Sequence, residues 1–159
     1  MRCCEQRYHP QSEFRTGDAV EMLWQLNAIP DRLEPEEIMF YEEFIAAGNT
    51  VILIPKSKEV PPKSTNDFVW TNNNHLLIEL KSPKVLRYST IKTLINDAVT
   101  KAQIHGVIKE NFIINLGGKH MSAKLRSQLV LYNRRNPTAT ITRLCTWNST
   151  GIEELKLIE

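Results

Sequence analysis

Apolar and polar residues alternate with two different periods along the 159-residue chain. Apolar residues spaced three and four apart predict amphipathic helices, whereas alternating or short continuous apolar runs predict strands. A helix is predicted to begin at Ser89 or Thr90, either of which offers a capping hydroxyl. The other predicted elements are helices between 16 and 30, 35–48 and 122–135, and strands 51–54, 67–71, 75–81, 112–116, 141–147 and 152–158.

The order of these elements predicts an α/β fold. Helices separate some consecutive strands but not others, so we expect a mixed β-sheet with helices on its faces. Residues 1–15 are polar and lack a periodic apolar pattern, which predicts an N-terminal linker or tail. Residues 16–159 are expected to form a single domain, since a chain of this length can bury one full core.

Composition narrows the function classes only slightly. Hydrophobic residues make up 42% and charged residues 24%, as in ordinary globular proteins, and the net charge of +2 does not by itself indicate nucleic-acid binding. The sequence contains no apolar run long enough for a membrane span and no signal-peptide pattern. The three cysteines, Cys3, Cys4 and Cys145, do not suggest a disulfide framework, and Cys3 and Cys4 with His9 are too few for a zinc site. We expect free thiols in a reducing compartment.

A hairpin over residues 67–81 carries the candidate chemistry. Its three central asparagines predict a turn between two apolar, β-rich flanks. With the turn centred on Asn73, Trp70 faces Leu76 and Asp67 faces Glu79. Directly opposed side chains have Cβ atoms about 4.5–5.5 Å apart. Two carboxylates at that separation repel one another unless a cation lies between them.

The second strand of the hairpin adds a base to this pair of acids. A period of two puts Leu77, Glu79 and Lys81 on one face of the strand and the remaining apolar residues on the other. The simplest interpretation is a surface Glu–Lys pair. Charged residues inside an apolar run are, however, rarely buried unless they are paired or bind a metal.

The spacing of these residues resembles the motif of the PD-(D/E)XK nuclease superfamily. Asp67 is followed, after eleven intervening residues, by Glu79-Leu80-Lys81, and Asn66 stands where the family usually has proline. The predicted order αβββαβ over residues 35–116 is also the core order of that superfamily. The resemblance therefore implies a PD-(D/E)XK-like core within the α/β fold.

Within the superfamily the chain is similar to the tRNA-cleaving toxin domains found at the C-termini of contact-dependent inhibition proteins. The similarity covers residues 35–118, the expected core of the domain. It is carried by a helical glutamate, an apolar strand that ends in proline, the acidic hairpin, and a lysine- and glutamine-bearing helix before an Asn-Leu strand end. The matching residues are Glu37, Gly48, 51–55, Asp67, Phe68, 79–83, Lys101, Gln103, Asn115 and Leu116. The helical glutamate could be Glu36 or Glu37. We favour Glu37 because Glu37 falls on the apolar side of the helix.

The resemblance implies a metal-dependent mechanism. Asp67 and Glu79 are expected to hold Mg²⁺ or another divalent cation such as Mn²⁺, and Glu37 to complete or orient its ligands. Lys81 would stabilise negative charge that develops on the phosphate. Gln103 or Lys101 would position the phosphate, but residues two apart on a helix do not share a face.

The expected partners and location follow from the same resemblance. The substrate would be nucleic acid, most specifically tRNA, and a cognate immunity protein would bind the toxin. The site of action would be cytoplasmic, after delivery into a target cell as part of a larger secreted protein. Lys56, Lys58 and Lys63 precede Asp67 and are expected either to contact a phosphate backbone or to be ordinary loop charge.

Three alternatives remain open on the sequence. The first is a DNA endonuclease of the same fold, such as a restriction or repair enzyme. The second is a non-catalytic binding module in which the acids have no chemical role. The third is a metal-independent RNase that uses a histidine among His75, His105 and His120 as acid or base.

Overall fold

The computed structural model describes residues 33–159. This part of the chain contains four helices and six strands. In chain order they are α1 (Pro35–Ala46), β1 (Val51–Leu53), β2 (Phe68–Trp70), β3 (Leu76–Lys81), α2 (Tyr88–Ile104), β4 (Asn111–Asn115), α3 (Ala123–Val130), α4 (Tyr132–Arg135), β5 (Arg143–Asn148) and β6 (Gly151–Leu155).

The six strands form one mixed sheet in the order β1-β2-β3-β4-β5-β6. The pairs β1–β2, β2–β3 and β5–β6 are antiparallel. The pairs β3–β4 and β4–β5 are parallel, and each is connected through helices. The predicted α/β class with a mixed sheet is therefore confirmed.

Two hydrophobic clusters cover the two faces of this sheet. The second cluster packs α2, α3 and α4 against the sheet, and the first, which we call the aromatic cluster, packs α1 against it. The aromatic rings of the first cluster are Phe40, Tyr41, Phe44, Phe68, Trp70 and Trp147. The period of two in β4 divides its side chains between them, with Ile113 in the first cluster and Phe112 and Ile114 in the second. Helices on both faces explain why every residue of β4 is buried.

The predicted start of α2 is wrong by one or two residues. The helix begins at Tyr88, its N-cap is Arg87, and no side chain caps it, so Ser89 and Thr90 lie inside the first turn. Arg87 has an extended backbone, and its carbonyl accepts the Ile91 N–H at 3.1 Å. Packing of Ile91 and Tyr88 in the second cluster sets this boundary in place of a capping hydroxyl.

The predicted helix over 122–135 is two helices, separated at Leu131. Ser122 caps α3 as its sequence suggests, accepting the Leu125 N–H at 3.0 Å. At the other end, the Val130 carbonyl accepts the Ile158 N–H at 2.9 Å, a bond that comes from the C-terminal segment and not from the helix itself. Strand β6 ends at Leu155, before the predicted residue 158, because Leu155 pairs with Leu144 and its partner strand β5 begins at Arg143.

Strand β5 begins at Arg143, two residues later than predicted. The Ile141 N–H donates to Asn133 Oδ1 at 2.8 Å, and the Asn133 amide donates back to the Ile141 carbonyl. The Asn133 side chain therefore binds both the N–H and the carbonyl of Ile141, the groups that a neighbouring strand would otherwise bind.

Several predictions fall outside the described residues: the tail over 1–15, the helix between 16 and 30, and the free state of Cys3 and Cys4. Cys145 is a free, buried thiol, and burial raises its pKa to about 12. Within residues 33–159, no helix is both long enough and apolar enough to cross a bilayer.

Candidate active site

The hairpin of β2 and β3 has the predicted register. Trp70 pairs with Leu76 and Phe68 with Ile78, and the same register brings Asp67 opposite Glu79. The Asp67 N–H donates to the Ile78 carbonyl at 2.9 Å, which holds the backbone of Asp67 at the end of the ladder.

The side chain of Asp67 is also fixed by β3. Its Oδ2 accepts the backbone N–H of Leu80 at 2.8 Å, so the carboxylate reaches across to the neighbouring strand immediately beside Glu79. A backbone donor to a carboxylate is a charge-assisted hydrogen bond and favours the ionised form.

Strand β3 buries its glutamate as well as its apolar residues. Ile78 and Leu80 pack in the aromatic cluster beneath α1, and Glu79 between them points to the opposite face of the strand. Glu79 is nevertheless only 3% exposed. A carboxylate this deeply buried requires compensating charge or hydrogen bonds.

Two lysines supply that compensation. Lys81 Nζ lies 2.9 Å from Glu79 Oε2, and Lys109 Nζ lies 3.0 Å from Glu79 Oε1. The lysine side chains differ in exposure, at 25% for Lys81 and 9% for Lys109. Oε1 accepts no hydrogen bond from any described residue, so its contact with Lys109 is an ion pair without hydrogen-bond geometry. We call Asp67, Glu79, Lys81 and Lys109 the acid–lysine cluster.

Asp67 and Glu79 interact electrostatically. The pKa of Asp67 rises from 3.8 to about 6, mainly because burial penalises its charge and next because Glu79 repels it. The Leu80 N–H, Lys81 and Lys109 act in the opposite direction. The pKa of the Tyr41 hydroxyl also rises, through burial first and then through the charges of Asp67, Glu37 and Glu79.

These groups line one cavity of about 380 Å³. Its walls come from the start of α1, the end of β1, the loop over 54–66, and the facing ends of β2 and β3. The charged lining consists of four lysines and three acids: Lys56, Lys63, Lys81, Lys109, Glu37, Asp67 and Glu79. Lys58 is exposed in the same loop.

Glu37 lines this cavity, whereas Glu36 lines two other cavities. The Glu37 carboxylate is engaged in a capping box at the start of α1, where Oε1 accepts the Glu34 N–H at 2.9 Å. Among residues 33–159, no group of three or more histidine, cysteine, aspartate or glutamate side chains is arranged to hold an ion. The structure thus brings Asp67 and Glu79 together, and it places Glu37 on the same cavity with its carboxylate engaged at the start of α1.

Gln103 does not line the cavity of the acids. Its side chain is exposed, its Nε2 donates to the Thr138 carbonyl at 3.5 Å, and it borders a separate cavity of about 400 Å³. Lys101 is exposed on the same helix. Lys109 borders both cavities, because it lies in the segment that connects α2 to β4.

The three candidate histidines also lie apart from the acids. His75 is exposed in the hairpin turn, at the end of β3 away from Glu79, with a left-handed backbone (φ 54°). His105 Nδ1 accepts the Ser64 N–H at 3.0 Å and thereby ties the loop over 54–66 to the end of α2. His120 Nδ1 lies 3.4 Å from Asn148 Nδ2. None of the three lines the cavity.

Lys109 is the member of the cluster that the sequence analysis missed. The Glu-X-Lys pattern contains no indication of it, since Lys109 lies far along the chain from Glu79. The only available signal was its position just before the wholly apolar run 112–114, which was predicted to enter the same sheet. A long side chain at that point can reach a buried neighbour on the adjacent strand.

The donor set fits a small divalent cation. Mg²⁺ is commonly bound by one or two carboxylates, while waters and substrate phosphates fill its other positions. Asp67 and Glu79 offer two hard carboxylates in one cavity, and Glu79 Oε1 is buried without a hydrogen bond to any residue in the described part of the chain. The residues that would hold an ion are therefore these two.

Fold and site together define an α/β protein with a buried acid–lysine cluster at one end of a strand hairpin. Comparisons with protein-family models, with curated proteins and with solved structures find no match to this chain.

Proposed function

We propose that this protein is a metal-dependent endonuclease that cleaves RNA phosphodiester bonds, with tRNA as its substrate. The observation that carries the proposal is that Asp67 and Glu79, from opposed strands, share one cavity in which Lys81 pairs with Glu79. Phosphodiester cleavage needs charge neutralisation at the phosphate and an activated nucleophile, and this combination of groups suits both requirements.

The order of elements supports the same proposal. Helix, three strands, helix and strand follow one another from α1 to β4, with β2 and β3 as an antiparallel pair and β3 and β4 as a parallel pair. This arrangement agrees with what the resemblance to PD-(D/E)XK nucleases implies. Membership of that superfamily is part of the proposal.

Each residue of the site receives a role. Asp67 and Glu79 hold Mg²⁺ or Mn²⁺, which when bound supplies Lewis-acid polarisation of the phosphate and lowers the pKa of a bound water. The Leu80 N–H holds Asp67 in place, and the partly exposed Lys81 stabilises negative charge at the phosphate. Glu37, which lines the same cavity, orients the metal ligands, and Asp67 and Glu79 are the two principal donors.

The loop over 54–66 forms the surface that binds the nucleic acid. Lys56 and Lys63 line the cavity, beside phosphates that would flank the scissile bond, and Lys63 would exchange its exposed partner Glu59, at 3.5 Å, for such a phosphate. Gln103 borders a different cavity, and we assign it no contact with the scissile phosphate.

The biological setting is proposed from the toxin resemblance alone. The domain would be delivered into a target cell as part of a larger secreted protein and would act on cytoplasmic tRNA. A cognate immunity protein would protect the producing cell by binding this domain.

The proposal is tested by incubating tRNA with the purified protein in Mg²⁺ and resolving the products on a denaturing gel. Lys81→Met keeps the aliphatic stem but removes the ammonium group, and we expect cleavage to fall about 100-fold or more. Glu154→Gln is the matched control, because Glu154 pairs with Arg143 at the exposed far edge of the sheet. Full cleavage by Lys81→Met, or cleavage that survives a chelator, would reject the proposed mechanism.

Substrate class is resolved by offering tRNA and plasmid DNA in parallel. We expect tRNA to be cleaved and the plasmid to remain intact. The opposite result would favour the DNA endonuclease of the same fold, for which the roles of Asp67, Glu79 and Lys81 would be unchanged.

A non-catalytic binding module is the second candidate, and one observation favours it. The acid–lysine cluster contains two carboxylates and two ammonium groups, so its charges balance without any ion. A buried ion network of this kind can be purely structural. Calorimetric titration with Mn²⁺ separates the endonuclease from the binding module, because a purely structural ion network predicts no heat of Mn²⁺ binding at this site.

A further inference from the structure

The second lysine of the acid–lysine cluster, Lys109, has no role in the proposed chemistry described so far. Its Nζ lies 3.0 Å from Glu79 Oε1, the oxygen that accepts no hydrogen bond from residues 33–159. A divalent ion that used this oxygen would have to share it with a fixed positive charge. The positive charge of Lys109 therefore disfavours binding of the cation that Asp67 and Glu79 would hold.

The Lys109 side chain is more deeply buried than that of Lys81. It is 9% exposed, compared with 25% for Lys81. The backbone is tied on both sides: the Ile108 carbonyl accepts from Asn66 Nδ2 at 3.2 Å, and the Glu110 carbonyl accepts the N–H groups of Thr142 and Arg143 at 2.8 and 3.0 Å. Lys81 is therefore the lysine of the pair with more solvent contact, and Lys109 is the one enclosed beside Glu79.

The net charge of the acid–lysine cluster determines how a divalent ion and a phosphodiester affect each other's binding. The cluster is neutral with two acids and two lysines, so a divalent ion alone would add two uncompensated positive charges to a buried site. A phosphodiester brings a negative charge to the same place. Ion and phosphodiester should then bind with positive coupling, because each offsets the charge that the other introduces.

We propose that Lys109 is a built-in counter-ion that keeps the site from binding a divalent cation tightly until a phosphodiester enters with it. The inference rests on the proposed function and deepens it, since it assigns to Lys109 the control of metal loading by substrate. Lys109 is a positioning residue in this proposal: it acts on Glu79 and does not contact the reacting atoms.

Mn²⁺ binding in the absence of nucleic acid provides the first test. We expect Lys109→Met to bind Mn²⁺ about tenfold more tightly than the wild type, because the competing charge is gone while the length of the side chain is kept. Lys124→Met is the matched control, since Lys124 is an exposed lysine on α3 that lines neither cavity, and its Mn²⁺ affinity should equal that of the wild type. Circular dichroism and the concentration of folded protein are measured for each variant.

The second test uses only the wild-type protein and so does not depend on whether the variant folds. Mn²⁺ affinity is measured by electron paramagnetic resonance with a dinucleoside phosphodiester and with the same dinucleoside carrying a neutral methylphosphonate. We expect the phosphodiester to raise the affinity several-fold and the methylphosphonate to leave it unchanged.

These measurements distinguish a wrong role for Lys109 from a wrong proposed function. If wild type and Lys109→Met bind Mn²⁺ equally well, or if both dinucleosides have the same effect, the role of Lys109 is wrong and the proposed nuclease stands. If neither folded protein binds Mn²⁺ under any of these conditions, the proposed metal-dependent function is wrong as well.

Discussion

At the scale of single residues, the acid–lysine cluster shows how a buried carboxylate is tolerated. Glu79 is almost fully buried and has an ammonium group beside each oxygen. Asp67 accepts the Leu80 N–H, and burial raises its pKa to about 6. The folded protein therefore bears a free-energy cost for ionising Asp67 that it does not bear for an exposed aspartate.

Asp67→Asn should remove this cost. The amide oxygen can still accept the Leu80 N–H, but the side chain no longer titrates. Because the pKa of Asp67 is higher in the folded protein (about 6) than its ordinary value of 3.8, the proton on Asp67 contributes stability at low pH that is lost as the pH rises through about 6. We expect the free energy of unfolding of Asp67→Asn, relative to the wild type, to increase by roughly 2 kcal/mol between about pH 4 and pH 7.

Urea denaturation at several pH values, with a chelator present, measures this difference. Glu154→Gln serves as the control, since Glu154 is an exposed partner of Arg143. Parallel pH profiles for Asp67→Asn and the wild type would contradict the raised pKa.

At the scale of the elements, the hairpin and α1 contribute to the site in different ways. The hairpin sets the separation of Asp67 and Glu79 through its register, which follows from the turn and the period of two. Helix α1 contributes Glu37 and Tyr41 to the cavity, and its first turn is closed by the capping box of Glu34 and Glu37. Glu37 thus has a structural task that is independent of any metal.

Paired substitutions separate the two tasks of Glu37. Glu37→Gln keeps an oxygen for the Glu34 N–H and should cost only a few tenths of a kcal/mol, whereas Glu37→Ala should cost about 1 kcal/mol of stability. If Glu37 also orients the metal ligands, both variants should lose Mg²⁺-dependent cleavage by about tenfold. Glu36→Gln is the control, because Glu36 borders other cavities.

Thermal unfolding and tRNA cleavage are read out on the same samples. Full cleavage by Glu37→Gln would restrict Glu37 to helix capping. A loss of cleavage in Glu37→Ala alone would mean that the stability of α1, and not the charge of Glu37, supports activity.

At the scale of the whole molecule, the aromatic cluster couples α1 to the sheet that carries the acids. Phe44 is fully buried and its ring lies 4.9 to 5.9 Å from the rings of four neighbours on α1, β2 and β5. Aromatic pairs at such distances, largely edge-to-face, add to the free energy gained by burial. The cavity is thus walled on one side by a helix that is anchored through aromatic rings.

Phe44→Ala should therefore destabilise the protein by about 3–5 kcal/mol, through lost burial and the cavity that remains. Met39→Ala on the same helix is the control, since Met39 is 58% exposed and its loss should change the free energy of unfolding by less than about 0.5 kcal/mol. Both values come from urea denaturation. A cost for Phe44→Ala close to that for Met39→Ala would show that α1 is not anchored by this cluster.

Much of the fold and part of the site could be predicted because their rules are local. The register of Trp70 with Leu76 follows from the position of the turn and the period of two, and the period also puts Glu79 and Lys81 on one face of β3. The break at Leu131 could not be predicted, because it accompanies a bond to the Val130 carbonyl from a segment almost thirty residues away.

The sequence alone determined the order of the elements from α1 to β4, the α/β class that this order implies and the register that brings Asp67 opposite Glu79, since these follow from local apolar periods and one tight turn. Only the tertiary structure decided that Lys109 pairs with Glu79, that Glu37 is engaged in a helix cap, and that Gln103 borders a different cavity. Those placements depend on how α1 and α2 pack on the sheet, and packing is decided by contacts between segments distant in the chain.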